Sequence, residues 1–324
     1  MPYRTVQVPK CHGPRVLKGY TLNGYEVVIL ENELLRVMIN VERGGTIHEF
    51  LYKPCDLDVM YKNPRGIRPH SAFTISSYDV SPFSDYHPEG WFECFPSGSS
   101  PVTLAGARVG FHGEVWGLPF ELQAVEEKST QCSATMTGLT LRTPWKLTKK
   151  FQLKKNDPTL YIEETATNLS HEDLAVMWGQ HPMYGAPFLD EKCYIEVPAR
   201  SYLPDWKKNK KAPWPQGPKG RDLSKVAAPH SGLGKMIFLT DLAKGQYRVV
   251  SPTWKVAFEL RWDIKQFPWC WLCECARAGG WGEYFLAMEP FTGLPLAIET
   301  GKGVMPIAAG KSKTVRFEAA VLKV

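Results

Sequence analysis

Twenty-six prolines and 27 glycines are scattered from one end of this 324-residue chain to the other. They leave few uninterrupted stretches for a three-turn helix, because proline lacks the amide donor that a helix interior needs and glycine loses the most backbone entropy on ordering. Between them the residues alternate instead. Residues 145 to 155 put Trp145, Leu147, Phe151 and Leu153 on one face and Lys146, Thr148, Lys150, Gln152 and Lys154 on the other. This is the period of a half-buried strand, with Lys149 intruding on the apolar face. Asp157-Pro158 then turns the chain into a second run, with Leu160, Ile162, Glu164 and Ala166 opposite Tyr161, Glu163, Thr165 and Thr167, which predicts a hairpin. The same alternation marks Leu35 to Val41 before the Gly44-Gly45 turn, Val256 to Trp262, and Val315 to Val321. The expectation is an all-β fold, a large antiparallel β-sandwich in which residues 1–324 form one domain with a Lys/Pro-rich insertion at about 200–230.

A chain with 44% hydrophobic and 22% charged residues has material for a sizeable core, which excludes disorder and collagen-like repeats. No apolar run approaches the roughly 18 residues of a membrane span, and Met1-Pro2-Tyr3-Arg4 opens no secretory leader. The chain is therefore read as soluble and cytoplasmic, with no membrane partner. Eight cysteines are too sparse for a disulfide scaffold, so free thiols are expected and Asn168-Leu169-Ser170 is read as a turn, not a glycan acceptor.

The net charge of +6 resides in one segment, where Lys207, Lys208, Lys210, Lys211, Lys219, Arg221 and Lys225 face only Asp222. A basic cluster confined to one loop, where a nucleic-acid binder would more often spread its basic residues along a face with aromatic stacking platforms, argues against nucleic acid. It is a solvated loop, or else a cover over a site that takes an anionic small ligand.

Several fragments imitate chemistry without completing it. Gly310-Lys311-Ser312 resembles the end of a phosphate loop, but Met305 stands where the pattern needs glycine. Gly232-Leu233-Gly234 lacks a third glycine and a following helix. His112-Gly113-Glu114 with Pro268, Cys270 and Cys273 echoes a zinc deaminase, but Trp269 interrupts it. Cys270, Cys273 and Cys275 lack the second ligand cluster of a structural zinc site, so no metal and no cofactor is expected.

Three ionisable residues stand out. His112 lies in Gly110-Phe111-His112-Gly113-Glu114, between glycines that would let a ligand approach the backbone. His181 follows Ala175-Val176-Met177-Trp178-Gly179-Gln180, and Glu289 follows Tyr284-Phe285-Leu286-Ala287-Met288. Each precedes a proline, Pro182 or Pro290, expected to end its strand. An ionisable group closing an apolar strand is either satisfied structurally or set at the mouth of a site. Aromatic residues flank the candidates in sequence, among them Trp91, Phe92, Trp116, Trp178, Trp271 and Phe291. Aromatic faces stack on the C–H faces of sugar rings, and they also fill wide sandwiches.

Val41-Glu42-Arg43-Gly44-Gly45-Thr46-Ile47, Phe111-His112-Gly113-Glu114-Val115-Trp116, Asn168-Leu169-Ser170 through Trp178-Gly179-Gln180-His181-Pro182, and Leu286-Ala287-Met288-Glu289-Pro290 resemble, in the same order, segments of the aldose 1-epimerase (galactose mutarotase) superfamily. The resemblance spans nearly the whole chain and rests on order and spacing. It implies that family's β-sandwich with a sugar site, Glu289 as general base, His181 as general acid and His112 as a sugar contact. The implied reaction interconverts the α and β anomers of an aldose, with a small sugar as the only partner. Glu114 stands where the family often has glycine and Pro290 where it commonly has threonine, departures that point to a divergent branch. Glu114, Trp91, Glu93 and Asp263 are further candidate sugar contacts, and Arg65 and Arg68 lie in the region of the family's sugar-binding arginine. The competing reading is a non-catalytic carbohydrate-binding or regulatory protein on the same scaffold. The oligomeric state is left open.

Overall fold

The computed structural model describes residues 13–68, 83, 86, 89–98, 100–208 and 210–324. Two large antiparallel sheets dominate it. The twelve-stranded sheet begins at the edge strand Arg15–Leu22 and runs through Thr46–Tyr52, Trp91–Cys94, Gly179–Tyr184, Tyr284–Phe291, Trp269–Ala276 and Gly234–Leu242. It ends at Ala199–Leu203 and Ala212–Pro213. The eight-stranded sheet is centred on Val256–Trp262, Ser312–Lys323, Thr159–Asn168 and Trp145–Lys154. One face of each sheet packs into a shared apolar layer that includes Phe50, Trp91, Trp145, Tyr184, Phe258 and Leu286. The opposite face of the larger sheet carries a second apolar cluster containing Phe92, Met183, Phe238, Trp271, Ala287 and Phe291.

The hairpin read at 145–167 is present, with Trp145 paired to Asn168 and Leu153 to Leu160. Its two polar intruders, Lys149 and Glu164, are cross-strand partners. Lys149 Nζ lies 2.7 Å from Glu93 Oε2 and 3.6 Å from Glu164 Oε1, and it donates to the Gly44 carbonyl at 2.8 Å. The break in alternation is thus a buried ion triad between the sheets. Asn168 is buried, and its Nδ2 donates to the Glu172 and Ile307 carbonyls, as suits a turn-forming side chain.

The segments 199–208 and 210–227 are anchored to the larger sheet at several points, while Lys207, Lys208, Lys210, Lys211, Lys219 and Lys225 are exposed. Ala199–Leu203 is a strand of the larger sheet, Lys211 pairs with Asp241 at 2.9 Å, and buried Glu274 holds Arg221 at 3.4 Å and Lys235 at 3.2 Å. Trp206 packs against the second apolar cluster, with Lys207 Nζ 5.4 Å from its ring centroid. No helix among the described residues is long and apolar enough to cross a membrane.

Gly179 is required by close packing. A Cβ there would overlap the ring of Phe291, which stacks on Trp271 at 3.9 Å and 22°. Gly179→Ala is expected to destabilise the protein by about 1–3 kcal/mol through overpacking. The double change with Phe291→Leu should recover part of the loss in urea denaturation, and an unchanged midpoint in the single variant would contradict this packing.

Candidate active site

The prolines after His181 and Glu289 do not end their strands. Pro182 lies inside Gly179–Tyr184 and pairs with Trp91, while Pro290 lies inside Tyr284–Phe291 and pairs with Cys270. Their effect falls between these two strands. The ladder joins Gly179 to Phe291 and Met183 to Ala287 but is interrupted in between, where neither proline can donate a hydrogen bond. Within that gap the register sets His181 directly across from Glu289. Phe92 pairs with His181 on the next strand, and Trp271 pairs with Glu289 on the strand beyond. Phe92, His181, Glu289 and Trp271 therefore form one row across four strands on the outer face.

His181 Nε2 lies 3.4 Å from Glu289 Oε1, and both side chains are buried. The imidazole of His181 stacks on Phe92 at 4.4 Å and 18°. Burial pushes the Glu289 carboxyl well above the ordinary carboxylate range, since ionising it would strand a charge among apolar groups. The ring of His112 reaches the same place from outside the sheet, with its centroid 5.2 Å from that of His181. Its Nδ1 lies 2.9 Å from the Gly98 carbonyl oxygen, a pure acceptor, so Nδ1 carries a proton and donates it.

Holding His112 there strains the backbone. Its φ is +60°, a left-handed conformation that costs a non-glycine residue roughly 1–2 kcal/mol. The next residue, at φ +82°, must be glycine because a Cβ would collide with the Phe95 carbonyl. That carbonyl accepts from Glu114 N at 2.8 Å and pins the loop. Gly113 thus serves the loop's passage over Phe95.

The structure brings together His112, His181 and Glu289, and it sends the other candidates elsewhere. Trp91 and Glu93 flank Phe92 in sequence, so strand alternation turns them into the layer between the sheets. There Trp91 Nε1 donates to Gln180 Oε1 at 2.8 Å, and Glu93 pairs with Lys149. Glu114 accepts from Leu141 N, Arg142 N and Thr143 Oγ1 and closes the 141–143 loop. Asp263 is an exposed turn residue whose carboxylate accepts from Lys265 N at 2.9 Å, on the eight-stranded sheet. Arg65 and Arg68 line one cavity of about 330 Å³ with Asn63, Tyr86 and Trp281, and the Arg68 guanidinium sits 5.5 Å from the Tyr86 ring centroid. Cys270 faces the inter-sheet layer, whereas Cys273 packs with the outer cluster, so this pair does not converge on one point.

Sequence reasoning noted Phe92 and Trp271 only as nearby aromatics and missed Phe83, whose ring lies 4.6 Å from His112. Only strand register reveals the first two, and no local signal marks the third.

The chain matches, over residues 22–321, a family described as a domain of unknown function, DUF4432. No curated protein matches it. Among solved structures it is similar to a Klebsiella pneumoniae protein reported as a candidate aldose 1-epimerase, with a TM-score of 0.75 and 15% identity over 96% of this chain and 83% of that one. A Synechocystis protein aligns with a TM-score of 0.72 and 17% identity over 95% and 100% of the two chains. A galactose mutarotase-like protein from Clostridium acetobutylicum aligns with a TM-score of 0.71 and 11% identity over 96% and 99%. The chain belongs to the DUF4432 family, and that family's fold here is the all-β sandwich of the galactose mutarotase-like proteins.

Proposed function

We propose that the protein is a mutarotase-like isomerase that interconverts the anomers of an aldose or aldose derivative. The observation that carries this reading is the cross-strand pair of His181 and Glu289, 3.4 Å apart, with His112 beside them. Opening a cyclic hemiacetal removes the proton of the anomeric hydroxyl while protonating the ring oxygen. Both oxygens are bonded to the same carbon, so the acid and base must sit within a few ångströms of each other. His181 as acid and Glu289 as base meet that requirement. His112 is assigned to hold a sugar hydroxyl, and Phe92 and Trp271 frame the row.

The pair works with one shared proton. In the form that reacts it is on His181 with Glu289 ionised, whereas burial of Glu289 favours the carboxyl as its resting place. Ring opening leaves His181 neutral and Glu289 protonated, and reclosure on the other face after rotation about C1–C2 reverses both transfers. No net proton is gained or lost.

The direct test is NMR saturation transfer between the anomers of a panel of unlabelled sugars. Faster exchange with protein present supports the reading. Exchange at the spontaneous rate for every sugar, with binding retained, would favour the non-catalytic alternative.

A pH profile follows from the shared proton. The rate should be bell-shaped, falling at low pH when the pair holds a second proton and at high pH when it loses its only one. Because burial raises the Glu289 pKa, the acid limb is expected above the ordinary carboxylate value of 4.5. An acid limb at that value, or none, would speak against Glu289 as the base.

A further inference from the structure

Arg43, in the Glu42-Arg43-Gly44-Gly45 turn, has no part in the chemistry above. The residue is only 8% exposed, and among the described residues no carboxylate comes within ion-pair distance of its guanidinium. Its Nη2 donates to the Tyr86 carbonyl at 3.3 Å, and its Cζ lies 5.7 Å from the Tyr25 ring centroid. Burial draws its pKa below the usual arginine value, as expected for a charge taken out of water without a close counter-ion. Trp116 is also 8% exposed, and its buried Nε1 has no acceptor among the described residues. Both residues line one cavity of about 330 Å³, together with Tyr25, Glu42, Tyr86 and Pro119.

These two observations are independent and have the same sign. A buried guanidinium without a carboxylate and a buried indole N–H without an acceptor both call for an acceptor-rich group. Glu42, also in the lining, supplies the complement: its Oε2 accepts from Glu26 N at 2.6 Å, leaving Oε1 to accept from a ligand hydroxyl. Tyr25 and Trp116 give the lining its aromatic character. The volume lies within the range of small-molecule sites.

We propose that this cavity binds a hydroxylated ring bearing an anionic group, a sugar acid or sugar phosphate, with the anion on Arg43 and Trp116 Nε1, a hydroxyl on Glu42 and the ring against Tyr25 and Trp116. The cavity is separate from the His181–Glu289 row. The Phe83 ring stands between them, 5.4 Å from Trp116 and 4.6 Å from His112. The proposal does not depend on the isomerase reading.

The test is calorimetric titration at low ionic strength with glucuronate, glucose 6-phosphate, glucose and inorganic phosphate. At least one of the two sugar anions should bind, with glucose and inorganic phosphate each weaker by about 10-fold or more. Arg43→Gln and Trp116→Phe should each weaken the anion by at least about 10-fold, while Glu289→Gln and His181→Ala leave it unchanged. Trp116→Phe keeps an aromatic face but removes the fused pyrrole ring with its N–H, so wild-type binding in this variant overturns the proposal even if Arg43→Gln does not fold. The proposal is overturned if neither sugar anion binds, if Trp116→Phe binds as tightly as the wild type, or if inorganic phosphate binds equally well. Loss of binding in Glu289→Gln with retention in Arg43→Gln would also overturn it, by placing the anion at the other site.

Discussion

Glu289→Gln is expected to slow anomer exchange by at least about 100-fold, and His181→Ala by a similar factor, because each removes one partner of a coupled proton transfer. The glutamine variant also carries a stability signature, which reports the burial of the carboxyl. Burial raises the folded-state pKa of Glu289 above its unfolded value. Between those two values the unfolded chain gives up a proton that the folded chain keeps, so the wild type loses stability as pH rises. Glutamine has no such loss. The variant should therefore melt increasingly above the wild type as pH rises beyond the ordinary carboxylate range, while being inactive throughout. Near wild-type exchange in either variant, with an unchanged circular dichroism spectrum, would sink the assignment of the pair.

The second large effect lies in the layer between the two sheets. Lys149→Met should destabilise the protein by about 3–5 kcal/mol, the usual cost of breaking a buried ion pair from one side. It would leave Glu93 and Glu164 facing each other with no cation between the sheets. Burial and the nearby Glu93 charge already push Glu164 up to about 8, against the opposing pull of Lys149. Changing all three residues, Lys149→Met with Glu93→Gln and Glu164→Gln, should recover most of the loss, since neutral side chains carry no stranded charge. Urea denaturation measures both. A single-variant cost below about 1 kcal/mol would mean that water or rearrangement satisfies the carboxylates.

The two effects share a cause. Glu93 and Gln180 on the inner face are sequence neighbours of Phe92 and His181 on the outer face. Gln180 bridges Trp91 to Glu164, with Nε2 donating to Glu164 Oε2 at 2.7 Å. The polar network between the sheets thus clamps the strands that carry the reactive row. Lys149→Met in a background that still folds should disturb His181 more than a distant core change of equal cost would.

Strand content and the 145–167 hairpin were legible in the sequence because alternation is local, each residue facing the side opposite its neighbour. For the same reason Lys149 was visible as an anomaly, and the ordered resemblance picked out His112, His181 and Glu289 as candidates. Partnership was not legible. His181 and Glu289 are brought face to face by the register of two strands more than a hundred residues apart, and the two prolines that seemed to end those strands instead open the ladder between them. Trp91, Glu93, Glu114 and Asp263 looked like contacts because they lie near the candidates or resemble hydroxyl ligands in the one-dimensional chain. Only the three-dimensional arrangement turned the first two to the opposite face and spent the other two on loops and turns. A sequence records which residues alternate, but which side faces a ligand depends on which surface the second sheet covers, and that is a property of long-range packing.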